Sequence, residues 1–159
     1  MKSKQIFSAV LMITVFLSAF VLPATAKEAD SAVTTTEVEL LPNGDRIETE
    51  LITYTELGGA KATKSGHKTK SYKNSNGTVM WSVTVYGAFT YDGSSAVCTT
   101  ATHSTACPGS GWSIVSSSST KSGNTATAVA TARRYYANGT TSDYTYTVTL
   151  KCSVNGVLS

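Results

Sequence analysis

The clearest pattern in the chain is an alternation of apolar and polar side chains over residues 79–91. One face of this segment carries Val79, Trp81, Val83, Val85, Phe89 and Tyr91, and the other carries Ser82, Thr84, Tyr86, Ala88 and Thr90. A period of two residues is typical of a half-buried β-strand. Gly87 falls on the apolar face, where a missing side chain predicts a bulge or close packing.

Five further segments have short runs of strand-forming residues and are separated by turn signals. They cover residues 68–73, 96–103, 112–119, 124–133 and 143–152. Small residues share one face of the fifth predicted strand, which indicates a close approach of a second sheet: Ala126, Ala128, Ala130 and Ala132. Asn138-Gly139 predicts a type I′ turn into the last strand. Six short strands favour an all-β fold, an antiparallel sandwich resembling immunoglobulin domains, with a closed barrel as the alternative.

A β-hairpin is predicted ahead of this domain. Residues 37–41 and 46–54 flank Pro42-Asn43-Gly44-Asp45, a turn signal between two alternating runs. Residues 58–66 are small and basic and show no periodicity, which is typical of a linker. The sequence therefore predicts a hairpin segment over 27–57, a linker over 58–67 and a β-sandwich domain over 68–159.

The start of the chain predicts export. Lys2 and Lys4 precede an apolar run from Ile6 to Leu22, and Pro23 then leads into Ala24-Thr25-Ala26. A positive start, an apolar run and a small-residue cleavage site are the features of a secretory signal peptide. We expect residues 1–26 to be removed and the protein to be secreted. The alternative is a membrane anchor, since the apolar run approaches a spanning length.

Charge divides the chain into an acidic segment and a basic domain. From Lys27 to Leu57, eight acidic residues face two basic ones, a net charge of −6. From Gly58 onward, nine basic residues face only Asp92 and Asp143, a net charge of +7. The composition thus joins two parts of opposite sign.

Three cysteines in an exported chain predict one disulfide and one remaining thiol. Cys98 and Cys107 lie in a stretch predicted to be extended, which would hold them too far apart to bond. Cys152 falls on the apolar face of the last strand, so the expected bridge joins Cys98 to Cys152. Cys107 is then expected to be exposed, and either free or linking two chains into a dimer. A metal site of Cys98, His103 and Cys107 is the alternative, although their spacing fits no zinc pattern.

The sequence predicts that the protein is not an enzyme and needs no cofactor or metal. No serine lies in a nucleophile motif, and His67 and His103 fit solvated or packing positions. Asp92 and Asp143 are the only acids available for a two-carboxylate mechanism, and both sit at predicted turns.

Basic residues are the candidate binding groups. Those considered for binding anions are Lys64, Lys68, Lys70, Lys73, Arg133 and Arg134. Such stretches attract an anionic cell-wall polymer or a membrane surface through long-range electrostatics. The alternative is a solvated strand edge, where lysines block pairing with other chains. Nucleic acid is not expected, because no motif that reads DNA or RNA is present.

Several segments resemble small exported proteins of Gram-positive bacteria. They are residues 72–83, Phe89-Thr90-Tyr91, Gly111-Trp112-Ser113-Ile114 and the end of the chain over residues 150–159. The resemblance implies export and a β-sandwich, and supplies no activity and no site residues. Cys107 is an addition to the pattern of that group, which supports the pairing of Cys98 with Cys152.

Two functions follow as expectations. The first is a secreted, non-enzymatic binding module that acts outside the cell or at the cell envelope. The second is a proprotein, in which cleavage near Gly59 removes the acidic segment and releases a basic antimicrobial or toxin domain. The opposite charges of the two parts motivate the second.

Overall fold

The computed structural model describes residues 32–55 and 62–159, and every regular element in those two ranges is a β-strand. The predicted signal peptide lies outside the described residues, as do residues 27–31 and 56–61. The strands are β1 (Ala32–Leu40), β2 (Arg46–Thr55), β3 (Ala62–Lys73), β4 (Val79–Tyr91), β5 (Ala96–Ala106), β6 (Trp112–Ser122), β7 (Thr125–Tyr135) and β8 (Thr141–Lys151).

The strands form two antiparallel sheets that pack as a β-sandwich. One sheet has the order β1-β2-β3-β4-β5 and the other has the order β6-β7-β8. The predicted all-β sandwich is therefore confirmed. Strands that are consecutive in the chain are neighbours in each sheet, whereas immunoglobulin domains use Greek-key connections. The likeness to those domains lies in the two packed antiparallel sheets rather than in the strand order.

The core lies between β4 and β5 of the first sheet and β7 and β8 of the second. The alternating apolar face of β4 is buried as predicted, and the four alanines of β7 are fully buried opposite it. A Cβ atom on Gly87 would lie 2.6 Å from the Phe89 ring, so this glycine permits the close packing predicted for it. A bulge also occurs next to it, between Ala88 and Phe89.

The hairpin between β7 and β8 differs from the predicted type I′ turn. Such a turn requires a positive φ at both central residues, but Gly139 (φ 82°) is the only residue of this loop with a positive φ. Tyr136 N donates to Thr140 O at 2.9 Å and Gly139 N donates to Tyr136 O at 3.0 Å. The three-residue loop that results ends on a glycine in the left-handed region, which is the other common hairpin geometry.

The first half of β3 corrects the predicted linker over 58–67. Residues 62–67 are strand, because they pair with β2 on one side and with β4 on the other. Backbone pairing on both sides holds a segment whose small and basic residues show no strand pattern of their own. The acidic segment and the basic domain consequently share one sheet, and Ile47 and Leu51 of β2 pack against the core.

The two sheets are offset. The three-stranded sheet packs over β3, β4 and β5, and β1 and β2 extend beyond it. The inner face of the first sheet is therefore exposed along β1 and only partly covered along β2, where Ile47 and Leu51 reach the core.

Candidate functional site

The six candidate basic residues do not form one patch. Lys64, Lys68 and Lys70 share the inner face of β3, because their cross-strand partners on β4 are core residues, respectively Phe89, Val85 and Val83. The other three lie elsewhere. Lys73 is the last residue of β3, and Arg133 and Arg134 lie near the end of β7.

Carboxylates neutralise two of those three. Lys73 Nζ lies 2.5 Å from Glu48 Oε1. Arg133 binds Asp143 with two parallel contacts, Nε to Oδ1 at 2.7 Å and Nη2 to Oδ2 at 2.8 Å. The Arg133 guanidinium holds the pKa of Asp143 below its usual value. A paired charge attracts a further anion weakly, which leaves Arg134 as the remaining candidate at that end of the sandwich.

Arg134 lies over two aromatic rings. Its guanidinium carbon is 5.7 Å from the centroid of Trp112 and 4.9 Å from that of Tyr136. Trp112 is the cross-strand partner of Arg134, and Tyr136 follows β7 directly. Within the described ranges Arg134 forms no ion pair. Stacking on aromatic faces suits a planar guanidinium. The guanidinium also interacts with the hydroxyls of Tyr136 and Tyr144, and its remaining N–H groups are able to bind an anion at the ring edge.

Two more rings extend this group. Trp112 lies 5.2 Å from Tyr72 and 5.1 Å from Tyr144 between ring centroids. We call Arg134, Trp112, Tyr72, Tyr136 and Tyr144 the Arg134 cluster. Its members come from β3, β6, β7, β8 and the β7–β8 loop, and meet at one end of the sandwich. Tyr72 is buried and the other four are half-buried, so the cluster is a surface with an apolar floor.

Hydroxyl groups surround the guanidinium. Tyr136 Oη and Tyr144 Oη lie 3.2 Å apart. Hydrogen bonds from Ser142 and Tyr144 lower the pKa of Tyr136, and the hydrogen bond to Tyr136 raises that of Tyr144. Either hydroxyl of this pair can donate to the other. Burial, followed by a hydrogen bond to Asp45, raises the pKa of Tyr72. The cluster thus combines one cation with several hydroxyl groups on aromatic rings.

Sequence reasoning found Arg134 and missed its partners. Tyr72, Trp112 and Tyr144 fall on faces that predict core packing, and no local window shows that three separate strands bring them beside Arg134. Their position near strand ends is the one signal in the sequence, because side chains there lie near the rim of a sandwich rather than at its centre.

The two histidines take part in polar and aromatic contacts. His67 lies between Tyr54 and Tyr86, with ring centroids 5.8 and 5.3 Å away. The ring nitrogens of His103 lie 3.0 Å from Ser119 Oγ and 3.1 Å from Ser117 Oγ. These hydroxyls can satisfy both nitrogens of a neutral imidazole at the β5–β6 edge of the sandwich.

The two acids considered for catalysis lie apart. Asp92 accepts hydrogen bonds from Ser94 N and Ser95 N within its turn, which is next to Val154 beyond the end of β8. Asp143 lies near the start of β8 and binds Arg133. Among the residues that the structure describes, no three His, Cys, Asp or Glu side chains could hold a metal ion together.

All three cysteines are free thiols in the structure. Cys98 and Cys152 are buried, and the Cys98–Cys152 bridge stays a prediction. Cys98 lies within β5 and Cys107 directly follows that strand, so the stretch between them is extended as predicted. Cys107 is half-buried and packs against the core, which corrects the expectation that it is exposed.

The buried Tyr146 predicts a loss of stability in alkaline solution. Burial, and then the nearby Tyr72, raise its pKa above the ordinary value of 10.0. The pKa of Tyr146 is higher in the folded state than in the unfolded state. The free energy of unfolding therefore has its full value below pH ~10 and falls above it, by up to about 1.4 kcal/mol per pH unit. We expect urea midpoints to fall less between pH 9 and 11 for Tyr146→Phe than for the parent. Equal slopes for the two proteins would contradict this assignment.

In residues 32–55 and 62–159, no helix is long and apolar enough to cross a membrane. No protein-family model matches the chain, and searches of curated proteins and of solved structures gave no match. The function is therefore argued from the residues of the Arg134 cluster.

Proposed function

We propose that the protein is a secreted, non-enzymatic binding module that holds an anionic group of a cell-wall polymer on the Arg134 cluster. The observation that carries the proposal is the contrast between two neighbouring arginines. Arg133 is paired with Asp143, whereas Arg134 is held over Trp112 and Tyr136 and forms no ion pair in the described part of the chain.

The chemistry of the cluster suits a phosphate or a carboxylate. A guanidinium donates two parallel hydrogen bonds to such a group. One hydroxyl of the Tyr136–Tyr144 pair donates to the other, and the remaining hydroxyl can add one further donor. Aromatic rings offer contact area with few rotatable bonds, and Trp, Tyr and Arg are the residues that most often dominate binding surfaces. A repeating anionic polymer would present many such groups to one cluster. The acidic and basic parts share one sheet and their charges of −6 and +7 nearly cancel, so the attraction for the polymer comes from the cluster itself.

Export of the protein belongs to the same proposal, as does a Cys98–Cys152 disulfide in the secreted form. The support for export is the predicted signal peptide. The support for the disulfide is the burial of both cysteines in one core.

Release of a basic domain by cleavage near Gly59 is less well supported. Cleavage there would remove β1 and β2, yet β2 pairs with β3 along ten residues. Ile47 and Leu51 would also leave the core against which they pack. We therefore propose the binding module alone.

Replacing Arg134 with alanine is expected to weaken binding to poly(glycerol phosphate) at least about tenfold, because a charged hydrogen bond is typically worth about 1.5–3 kcal/mol. The purified protein would be titrated with the polymer at 25 mM and 300 mM salt. Binding should weaken at the higher salt, which screens exposed charges. Arg133→Ala is the matched control, since it removes the same charge from the adjacent position.

The outcomes distinguish binding at the Arg134 cluster from non-specific electrostatic attraction of the polymer. A tenfold loss for Arg134→Ala with less than a twofold loss for Arg133→Ala supports the cluster. Equal losses for the two variants would reduce the effect to net charge and overturn the proposal, as would absence of binding by the parent protein. Vesicles containing phosphatidylglycerol, measured in parallel, would reveal a membrane surface as the target if they bound more tightly than the polymer.

A further inference from the structure

The free edge of β8 presents unpaired backbone groups. At its end, Lys151 exchanges two backbone hydrogen bonds with Ser159, both at 3.0 Å, on the side away from β7. Backbone direction alternates along a strand, so Thr149, Thr147 and Thr145 turn their N–H and C=O groups toward the same edge. Among the described residues, no strand pairs with β8 there beyond Ser159.

The first sheet also ends in an edge strand, β1, whose outer side pairs with no other strand in residues 32–55 and 62–159. Leu41 N donates to Asp45 O across the hairpin, so odd-numbered residues of β1 bond to β2 and even-numbered ones face outward. β1 is nine residues long, contains no lysine or proline, and pairs with β2 without a bulge. It also exposes Val33, Val38 and Leu40. Of the features by which natural edge strands avoid pairing with another chain, β1 has only inward-pointing charges, Glu37 and Glu39.

We propose that β1 of a second copy pairs with β8, and that two copies form a two-fold symmetric dimer. The offset of the sheets makes this possible. A rotation by 180° about an axis parallel to the strands places the three-stranded sheet of each copy beside the five-stranded sheet of the other. Each layer then becomes one sheet of eight strands, and the exposed parts of the inner faces of β1 and β2 in the two copies cover each other. An isologous contact of this kind closes on itself.

Strand direction agrees with this arrangement. The contacts of His103 with Ser117 and Ser119, together with Cys98 N to Gly123 O, show that β5 and β6 run in opposite directions. Within each sheet neighbours are antiparallel, so β8 runs opposite to β1. The rotation axis preserves strand direction, and β8 and the β1 of the second copy therefore meet antiparallel.

The faces of the two strands also agree. On β8, Tyr146, Val148 and Leu150 point into the core, so the residues whose backbone faces the free edge have outward side chains. On β1, the register through Thr49 and Lys70 to Val83 places Glu37 on the inner face, so the even-numbered residues point outward. The groups that would bond thus carry outer side chains on both strands, which a continuous sheet requires.

The position of each residue along the common strand direction defines the register between β8 and the β1 of the second copy. Glu37, Thr49 and Lys70 lie in one row across the sheet, and Lys70 Nζ lies 5.0 Å from the centroid of Tyr146. Tyr146 also stacks on Trp81, whose row across the sheet contains Tyr72, Ile47 and Glu39. Tyr146 therefore lies at the level of Glu37 and Glu39. Rotation about an axis along the strands leaves this level unchanged, so Thr36 and Val38 of the second copy meet the free edge of β8 at Thr147 and Thr145. The pairing ends at Thr149, because Ser159 occupies the edge at Lys151.

Charge complements the register. In the dimer, Glu37 and Glu39 of the second copy face the inner side of β2 and β3. Lys68 and Lys70 lie on that side of β3, and Leu51 is the neighbour of Lys68 on β2. Opposite charges across a contact fix its register and suppress wrong partners. The inner lysines, which the sequence suggested as contacts for an anion, are thereby assigned to the second copy of the chain.

Charge reversal tests the dimer. The parent protein is expected to sediment as a dimer under reducing conditions, which removes any disulfide-linked species. We expect Glu37→Lys with Glu39→Lys to raise the dimer dissociation constant at least about tenfold, and Lys68→Glu with Lys70→Glu to do the same. An equimolar mixture of the two variants should form a heterodimer, because both junctions of the mixed pair again join opposite charges. Glu50→Lys, on the outer face of β2, is the control and should leave the dimer intact.

A backbone variant tests the pairing itself. Thr147→Pro removes an N–H that the monomer leaves unpaired, so the fold should survive as judged by circular dichroism while the dimer is lost. Thr147→Ala should remain dimeric. A monomeric parent protein, an open-ended assembly, a dimeric Thr147→Pro or the absence of heterodimers would each overturn the proposal. Arg134→Ala should leave the dimer unaffected, so failure of the dimer and failure of the proposed binding function are distinguishable.

Discussion

Replacing Trp81 with alanine is expected to lower the free energy of unfolding by about 3–5 kcal/mol. Trp81 is the largest fully buried side chain, and its ring stacks on Tyr146 with centroids 4.4 Å apart. The substitution removes the transfer free energy of the indole and leaves a cavity between the sheets. A domain of this size is typically stable by about 5–15 kcal/mol, so the loss is a large fraction of the total. Urea unfolding followed by circular dichroism measures it.

Trp81→Phe is the matched control, and its expected cost is much smaller. The Nε1 group of Trp81 is buried with no hydrogen-bond partner, which is an unfavourable state for a donor. Phenylalanine removes this donor and keeps most of the ring, so we expect a loss below about 1.5 kcal/mol. A cost as large as that of alanine would mean that Nε1 contributes an essential hydrogen bond, and would contradict its burial without a partner.

The sequence predicted β4 and the buried face of β7 because those strands have one face in water and one in the core. Burial of one face produces the period of two residues that reveals a strand. β3 gave no such signal in its first half. Its inner positions carry Lys64 and Lys68, which are half-buried, and Gly66, which is buried next to Leu158 and has no side chain to contribute to an apolar pattern. Pairing with β2 and β4 forms this strand, and pairing partners are not visible in a local pattern.

The same limit explains the strand order and the Arg134 cluster. An alternating pattern defines the face of a strand but not its neighbour, so it supports a Greek key and a meander equally well. The cluster requires that Tyr72, Trp112 and Tyr144 come from three strands of two sheets, which only the packing of those sheets determines. Arg134 became a candidate through its charge alone, which a local pattern shows, whereas the aromatic residues beneath it have the pattern of core residues.

Oxidation of Cys98 and Cys152 to a disulfide is expected to raise the free energy of unfolding by about 4 kcal/mol. Both thiols are buried. Cys98 N donates to Gly123 O and Cys152 N donates to Asn124 O, so two consecutive residues hold the two cysteine backbones at one end of the core. The bridge closes a long loop and lowers the entropy of the unfolded chain. The reaction transfers two electrons and both thiol protons to oxidised glutathione, whose disulfide is reduced to two glutathione thiols as the protein disulfide forms.

Single-cysteine substitutions distinguish the Cys98–Cys152 bridge from the other possible cysteine pairings. After oxidation, Cys107→Ser should lose two hydrogens in its intact mass and gain the full stabilisation. Cys98→Ser should gain no intramolecular bridge, because Cys107 and Cys152 are then the remaining pair and Cys107 lies at the opposite end of β5 from Cys98. Burial raises the pKa of all three thiols, so alkylation of the reduced native protein at neutral pH should be slow. An oxidised Cys107→Ser that keeps its mass and its urea midpoint would exclude the Cys98–Cys152 bridge, since the remaining thiols would then have failed to meet.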